Sequence, residues 1–228
     1  MSGILFIISA PSGSGKTTLV NELRQYVSNL EFSVSYTTRS PRGSEQDGRE
    51  YHFISRGEFE CMMERDEFLE YAEVFGNYYG TARSVLADAK ARGHDLLLDI
   101  DVQGERQVKS RAPDAVSIFV LPPSRTELES RLRKRSRSEN MESEEVIRRR
   151  LDTARKEIEN YPNYDYILVN DRLESSTDQL VAIVLGERVR RSGKTPSSDE
   201  KDYLRTSEKC LKANMEKEIR SILASFNV

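Results

Sequence analysis

The chain has 228 residues, 37% of them hydrophobic, which is enough for one compact domain with inserts. Its formal net charge is −3, from 35 Lys and Arg against 38 Asp and Glu, so bulk charge gives no footprint for nucleic acid. Two cysteines and two histidines exclude a disulfide framework and a histidine-built metal site. No apolar run approaches signal-peptide or membrane-spanning length, so a cytoplasmic chain is expected.

The first expected strand is Ile4 to Ser9, followed by Ala10-Pro11-Ser12-Gly13-Ser14-Gly15-Lys16-Thr17-Thr18 and a helix with Leu19, Leu23 and Val27 on one face. Alternation from Phe32 to Arg39 predicts a second strand, turned by Ser40-Pro41-Arg42-Gly43 and followed by a polar stretch with Asp47-Gly48. Tyr51 to Ile54 is expected extended, Ser55 to cap a short helix, Phe68 to Val74 to form a strand, and Gly76 to Thr81 a loop. A helix from Ser84 then ends at Gly93. The βα alternation resumes with a strand from Asp95 to Asp101, a helix from Gln103 to Arg111, and a strand from Val116 to Leu121. An arginine-rich helical stretch over 124–160 breaks near 136–140. A strand at 164–170, a helix at 173–190, a polar linker at 192–199 and a final helix at 200–226 complete the chain. Strands alternating with helices predict an α/β fold with a parallel sheet and ligands at the carboxyl ends of its strands.

Strand, glycine-rich turn, helix is the setting of a phosphate-binding P-loop. Gly13 and Gly15 tolerate positive φ and let backbone N–H groups close around an anion. The helix that follows adds its unpaired N–H groups and the positive end of its dipole. Lys16 is placed to reach the β- and γ-phosphates, and Thr17 to offer a hydroxyl to Mg²⁺. The first position of the pattern is Ala10 rather than glycine, a small residue the loop is expected to tolerate. For a second substrate, Arg39 and Arg42 flank a stiff Pro41 turn, and two guanidinium forks suit a phosphate monoester. Residue type alone leaves them equally readable as an exposed basic turn.

Four further stretches fix a resemblance: Ser35-x-Thr37-Thr38-Arg39-x-Pro41-Arg42, then Gly48-x-x-Tyr51-x-Phe53, then Phe68-x-Glu70-x-Ala72-Glu73 with Gly76-Asn77-Tyr78-Tyr79-Gly80-Thr81, then Asp99-Ile100-Asp101-x-Gln103-Gly104. Together with the P-loop they resemble the guanylate kinases, in order, from residue 3 to about 190. The resemblance implies a P-loop three-layer fold: a central parallel sheet, a mostly β GMP-binding insert and a helical lid. It implies a core at 1–32, 93–134 and 150–191, the insert at 33–92, the lid at 135–149, and a C-terminal extension at 192–228 that packs on the body or on a second subunit.

It further implies that ATP and GMP are the substrates, with Mg²⁺ as cofactor. Arg39, Arg42, Tyr51 and Tyr79 would hold the GMP phosphate, and Ser35, Glu70, Asp101 and Thr81 would surround guanine. Guanine offers N1–H and N2–H side by side, which one carboxylate can accept, and an O6 that a hydroxyl can donate to; adenine offers neither. By alternation alone Glu70 would read as a solvent-facing strand residue. Asp99 would help Thr17 hold the metal; Asp99 and Asp101 share a face only if their strand stays regular. Residues Ala10 to Thr18, Arg131, Arg135 and Asn170 would bind ATP, and Lys16, Arg39, Arg135 and Arg150 would serve the transfer. The lid is about four residues longer than the usual pattern, which leaves Arg133, Arg135 and Arg137 as competing phosphate ligands. Arg148 and Arg149 follow Glu144 and Glu145 by four residues and read as helix-surface ion pairs. A homo-oligomer stays open, and a peptide-binding module without turnover is disfavoured by the intact Gly15-Lys16-Thr17.

Overall fold

A computed structural model describes residues 3–74, 76–138 and 143–228, with the side chains of 136–138 excluded. In chain order the elements are β1 (Leu5–Ser9), α1 (Lys16–Tyr26), β2 (Leu30–Phe32), β3 (Tyr36–Thr37), β4 (His52–Phe53), α2 (Arg56–Glu64), β5 (Phe68–Val74), β6 (Asn77–Ala82) and α3 (Arg83–Arg92). Then come β7 (Asp95–Asp99), α4 (Val102–Arg111), β8 (Val116–Leu121), α5 (Arg125–Ser138), α6 (Glu144–Ile158), β9 (Tyr166–Val169), α7 (Leu173–Ser192), α8 (Ser198–Lys209) and α9 (Lys212–Ser225). A five-stranded sheet runs β2-β7-β1-β8-β9, and a four-stranded sheet runs β4-β3-β6-β5. β2 pairs β7 in parallel and β8 pairs β9 in parallel, as buried βα units require.

The chain forms two compact units: Met1–Ile7 with Asn29–Val116, and Ile8–Ser28 with Ser117–Val228. In the first unit Leu5, Ile7, Leu69, Leu96, Leu98 and Val108 share one apolar core. In the second, α6 buries Ile147, Leu151, Ala154 and Ile158, the spacing of one helix face. Each fully buried Leu or Ile of this kind contributes about 1.5–3 kcal/mol.

The strand expected over 32–39 is two strands, because the chain changes sheets. Phe32 pairs with Leu97 in the large sheet, Ser33 donates the last bond to the Leu97 carbonyl at 3.1 Å, and Tyr36 then pairs with His52 and Gly80 in the small one. The loop expected at 76–81 is strand β6. Gly76, at φ 79°, lies in the turn between paired Val74 and Asn77, while Gly80 is needed because a Cβ there would meet the rings of Phe68 at 2.9 Å and Phe59 at 3.0 Å. Strand β7 stops at Asp99, and Asp101 caps α4 instead, accepting from Gln103 N at 3.0 Å and Gly104 N at 2.8 Å. The N-cap expected at Ser55 forms, and Glu58 completes it as a capping box.

The single helix expected at 200–226 is two, α8 and α9. At the break, Leu211 bridges Tyr166 antiparallel: Ile167 N donates to the Cys210 carbonyl at 2.8 Å and Lys212 N to the Asp165 carbonyl at 3.0 Å. A continuous helix would leave those groups of β9 without this pairing. α8 lies on α7 closely enough that a Cβ on Gly186 would sit 2.7 Å from Ser207 Oγ. The Arg190 guanidinium ties Tyr166 Oη at 2.7 Å, Glu187 at 2.8 Å and Ser207 Oγ at 2.9 Å into one network. The extension therefore packs on its own unit. Among the described residues no helix is long and apolar enough to cross a membrane.

Candidate active site

In the second unit, Gly13 at φ 91° and Gly15 at φ 87° take the left-handed conformation that the P-loop spacing anticipated. Gly15 is the N-cap of α1, which has no side-chain cap and no acid in its first turn, so its N-terminal N–H groups stay available to an anion. Lys16 opens the helix; Thr17 and Thr18 stand exposed beside it, Ser12 is exposed, and Pro11 and Ser14 are buried. Ala10 is half-buried where β1 ends.

The loop is braced from behind. Buried Asn170, one residue past β9, donates Nδ2 to the Ser14 carbonyl at 2.7 Å. Arg131 donates Nη2 to the Asn170 carbonyl at 3.1 Å and Nε to Glu127 at 2.9 Å. A Cβ on Gly15 would lie 2.3 Å from that Asn170 nitrogen, and one on Gly13 would lie 3.0 Å from Leu128 and Leu132 of α5. Holding the Ser14 carbonyl outward favours amides that face inward, as an anion cradle needs. Arg135 is exposed on α5, and Arg150 is half-buried on α6. Arg133 pairs with Glu129 at 2.8 Å and with Glu144, so Glu144 reaches across to α5. Arg137 and the lid residues 139–142 lie outside the described residues or side chains.

In the first unit, Thr37 of β3 and Thr38 just after it fix where Arg39 starts. Thr37 Oγ1 donates to the Tyr78 carbonyl at 3.0 Å and accepts from Arg39 N at 3.2 Å, while Thr38 Oγ1 accepts from Tyr78 N at 2.9 Å. Asp47 Oδ1 accepts from Phe53 N at 2.8 Å, and Gly48 N donates to the Tyr51 carbonyl at 2.9 Å, which pins the β4 side. The Arg39 guanidinium lies 5.3 Å from the Tyr51 ring centre, and the Tyr51 and Tyr79 rings meet edge-on at 5.8 Å. Arg42 stands exposed on the following turn. Burial pushes the Tyr51 hydroxyl pKa up, and the charge of nearby Asp99 adds to the shift.

The second cluster of this unit centres on Glu70, which is only 4% exposed. The β5–β6 register shifts between Phe68 and Glu70, and Phe68, Leu69 and Glu70 are consecutively buried. Helix α4 grips the same strand. Gln107 exchanges bonds with the Tyr71 backbone at 3.2 and 2.7 Å, and Arg111 donates to the Phe68 and Leu69 carbonyls. A Cβ on Gly104 would come 2.7 Å from Glu70 Oε2, so a side chain here would push the carboxyl from its place. Burial pushes the Glu70 pKa up to about 7, with the Asp101 charge adding and Thr81 opposing. The Thr81 hydroxyl lies close enough to favour the anion, and its buried oxygen makes no hydrogen bond within the protein. Ser35 is half-buried just before β3, its carbonyl accepting from His52 N at 2.9 Å. Sequence reasoning gave no role to Gly104, Gln107 or Arg111; their spacing along one face of α4 was the available signal.

Comparison with known proteins supplies the family. The guanylate kinase family model matches residues 2–187. The chain belongs to the guanylate kinase family. It phosphorylates GMP with ATP. A guanylate kinase of Koribacter versatilis is 59% identical over 226 residues, 99% of this chain and 97% of that one. A guanylate kinase of Dechloromonas aromatica is 49% identical over 184 residues, 81% of this chain and 89% of its own length. The crystal structure of guanylate kinase from Anaplasma phagocytophilum superposes with a TM-score of 0.67 at 35% identity, covering 85% of this chain and 88% of that one. The Koribacter match spans nearly the full chain.

Proposed function

We propose that the two units divide the reaction. The second unit seats ATP through residues Ala10 to Thr18, with Lys16 on the phosphates and Asn170 and Arg131 acting through the loop they brace. Arg135 and Arg150 carry positive charge to the moving phosphoryl group. The first unit seats GMP: Arg39, Arg42, Tyr51 and Tyr79 hold its phosphate, and Glu70, Ser35, Thr81 and Asp101 read guanine. None of these residues is assigned to the ribose 2′-hydroxyl, so dGMP is included as an acceptor. The acceptor phosphate is already anionic near neutral pH, so positioning and charge stabilisation carry the step without a strong base.

Mg²⁺ fits the donors available. Thr17 and Asp99 are exposed oxygen donors, and among the described residues no group of three or more His, Cys, Asp or Glu would bind a metal alone. Such an ion takes most of its ligands from phosphates and water. When bound, it neutralises phosphate charge. The reaction is assigned to the cytoplasm.

The observation that carries the base reading is Glu70, a carboxyl 4% exposed and wedged against Gly104, with no cation paired to it among the described residues. A desolvated carboxylate of this kind is compensated by a ligand with two adjacent N–H donors, which guanine has and adenine lacks. Leaving such groups unpaired costs a factor of ~10⁴ in discrimination. The test is ADP formation from MgATP with GMP, dGMP, AMP, UMP or dTMP, beside Lys16→Ala and Glu70→Ala. Turnover of GMP and dGMP alone, loss of it in Lys16→Ala, and loss of preference over AMP in Glu70→Ala are expected. An unchanged preference in Glu70→Ala would overturn the base reading.

A further inference from the structure

Glu45 sits on the turn after Arg39, and the sequence reading gave it no part. A guanidinium offers five N–H donors in a planar fork. Here Nη1 donates to the Ser40 carbonyl at 2.7 Å and to Glu45 Oε2 at 2.9 Å, and Nη2 donates to Glu45 Oε1 at 3.0 Å. The pair is end-on, through both terminal nitrogens. Nε–H and the second Nη2–H take no part in that pair and point the same way along the lateral edge. That edge matches two oxygens of one phosphate. The rings of Tyr51 and Phe53, 5.3 and 5.7 Å from the guanidinium carbon, limit its tilt. The Tyr79 hydroxyl lies within reach of the guanidinium and, after Glu45, adds to the rise in its pKa. Glu45 Oε2 also accepts from Arg42 N at 2.7 Å. One carboxylate therefore holds the side chain of one arginine and the backbone of the other.

We infer that Glu45 is a positioning residue for the acceptor phosphate, holding Arg39 end-on so that its lateral edge meets GMP, and that it stays in place while GMP is bound. The inference rests on the reading of Arg39 as a phosphate ligand. Charge alone argues the opposite outcome: a carboxylate beside the seat repels phosphate, and removing it would tighten binding. The Arg39 bonds hold the Glu45 carboxyl below the usual carboxylate range, so it stays ionised at neutral pH.

The test compares Glu45→Gln, Glu45→Asp and Arg39→Ala in the full chain, each checked for folding by thermal unfolding. Glu45→Gln is expected to raise the KM for GMP about tenfold or more and leave the KM for ATP within about twofold, the mark of lost acceptor binding. Affinity for guanosine, which lacks the phosphate, should stay unchanged. Glu45→Asp, with the charge but a shorter reach, should fall between the two. A KM for GMP that is unchanged or lower in Glu45→Gln overturns the inference, as does an equal loss of guanosine binding. If Arg39→Ala itself leaves the KM for GMP unchanged, the phosphate reading falls with it. If Arg39→Ala is impaired and Glu45→Gln is normal, only the role of Glu45 falls.

Discussion

The two proposed phosphate seats are built from different materials. The P-loop is a backbone device: two glycines at positive φ, an uncapped helix start, and an asparagine on the Ser14 carbonyl. The Arg39 seat is a side-chain device, in which a carboxylate and two aromatic rings hold one guanidinium and two threonines pin the backbone beneath it. A backbone cradle fails when atoms are added. A side-chain seat fails when a charge or its support is removed.

Substitutions can break this contrast. Lys16→Ala should cost the most, a fall in kcat of about 10³, since it removes a charge aimed at the transferring group; steady-state ADP formation measures it. Gly15→Ala comes next. Its Cβ would strike Asn170 and its φ of 87° suits glycine, so kcat/KM for ATP should fall about tenfold or more while the KM for GMP holds. Equal losses for both substrates would deny the separation of the seats.

Glu70 sharpens the contrast through pH. Its carboxyl titrates near 7 in the fold and near 4.5 when unfolded, so between these values the native state holds more protons and stability falls as pH rises. Glu70→Gln lacks that fall. It should match the parent near pH 4 and exceed it at pH 8 by on the order of 2–3 kcal/mol in urea unfolding, while losing preference for GMP. A smaller effect, confined to stability, is expected of Gly186→Ala: a loss of about 1–3 kcal/mol from crowding Ser207, with both KM values unchanged. Arg133→Ala, whose exposed side chain is spent on Glu129 and Glu144, should leave kcat within about twofold.

The same contrast explains what the sequence made legible. A backbone cradle must be contiguous, so Gly13, Gly15 and Lys16 stood out as a motif between a strand and a helix. The proposed acceptor seat is assembled from β3, β4, β6 and the turn bearing Glu45, and no local spacing announces it; its residues were named through family resemblance. Glu70 escaped alternation because the β5 register shifts beside it. The change of sheets after Phe32 was hidden because both pieces are extended and alternate alike. The break between α8 and α9 was hidden because Leu204, Leu211, Met215 and Ile219 keep nearly helical spacing through it, while the pairing with β9 that interrupts them is long-range.

The Leu211 bridge also bears on how the chain avoids sticking to its neighbours. β9 ends the five-stranded sheet, and an open final strand is a template for another chain. The opposite edge, β2, is protected by being three residues long. β9 is closed instead by backbone from Cys210 to Lys212, which is synthesised some forty residues after it, the difference between residues 169 and 210. At about 5–20 residues per second, the sheet spends roughly two to eight seconds on the ribosome before its own cover exists. In this chain the extension acts as a late-arriving selvage that ends the weave.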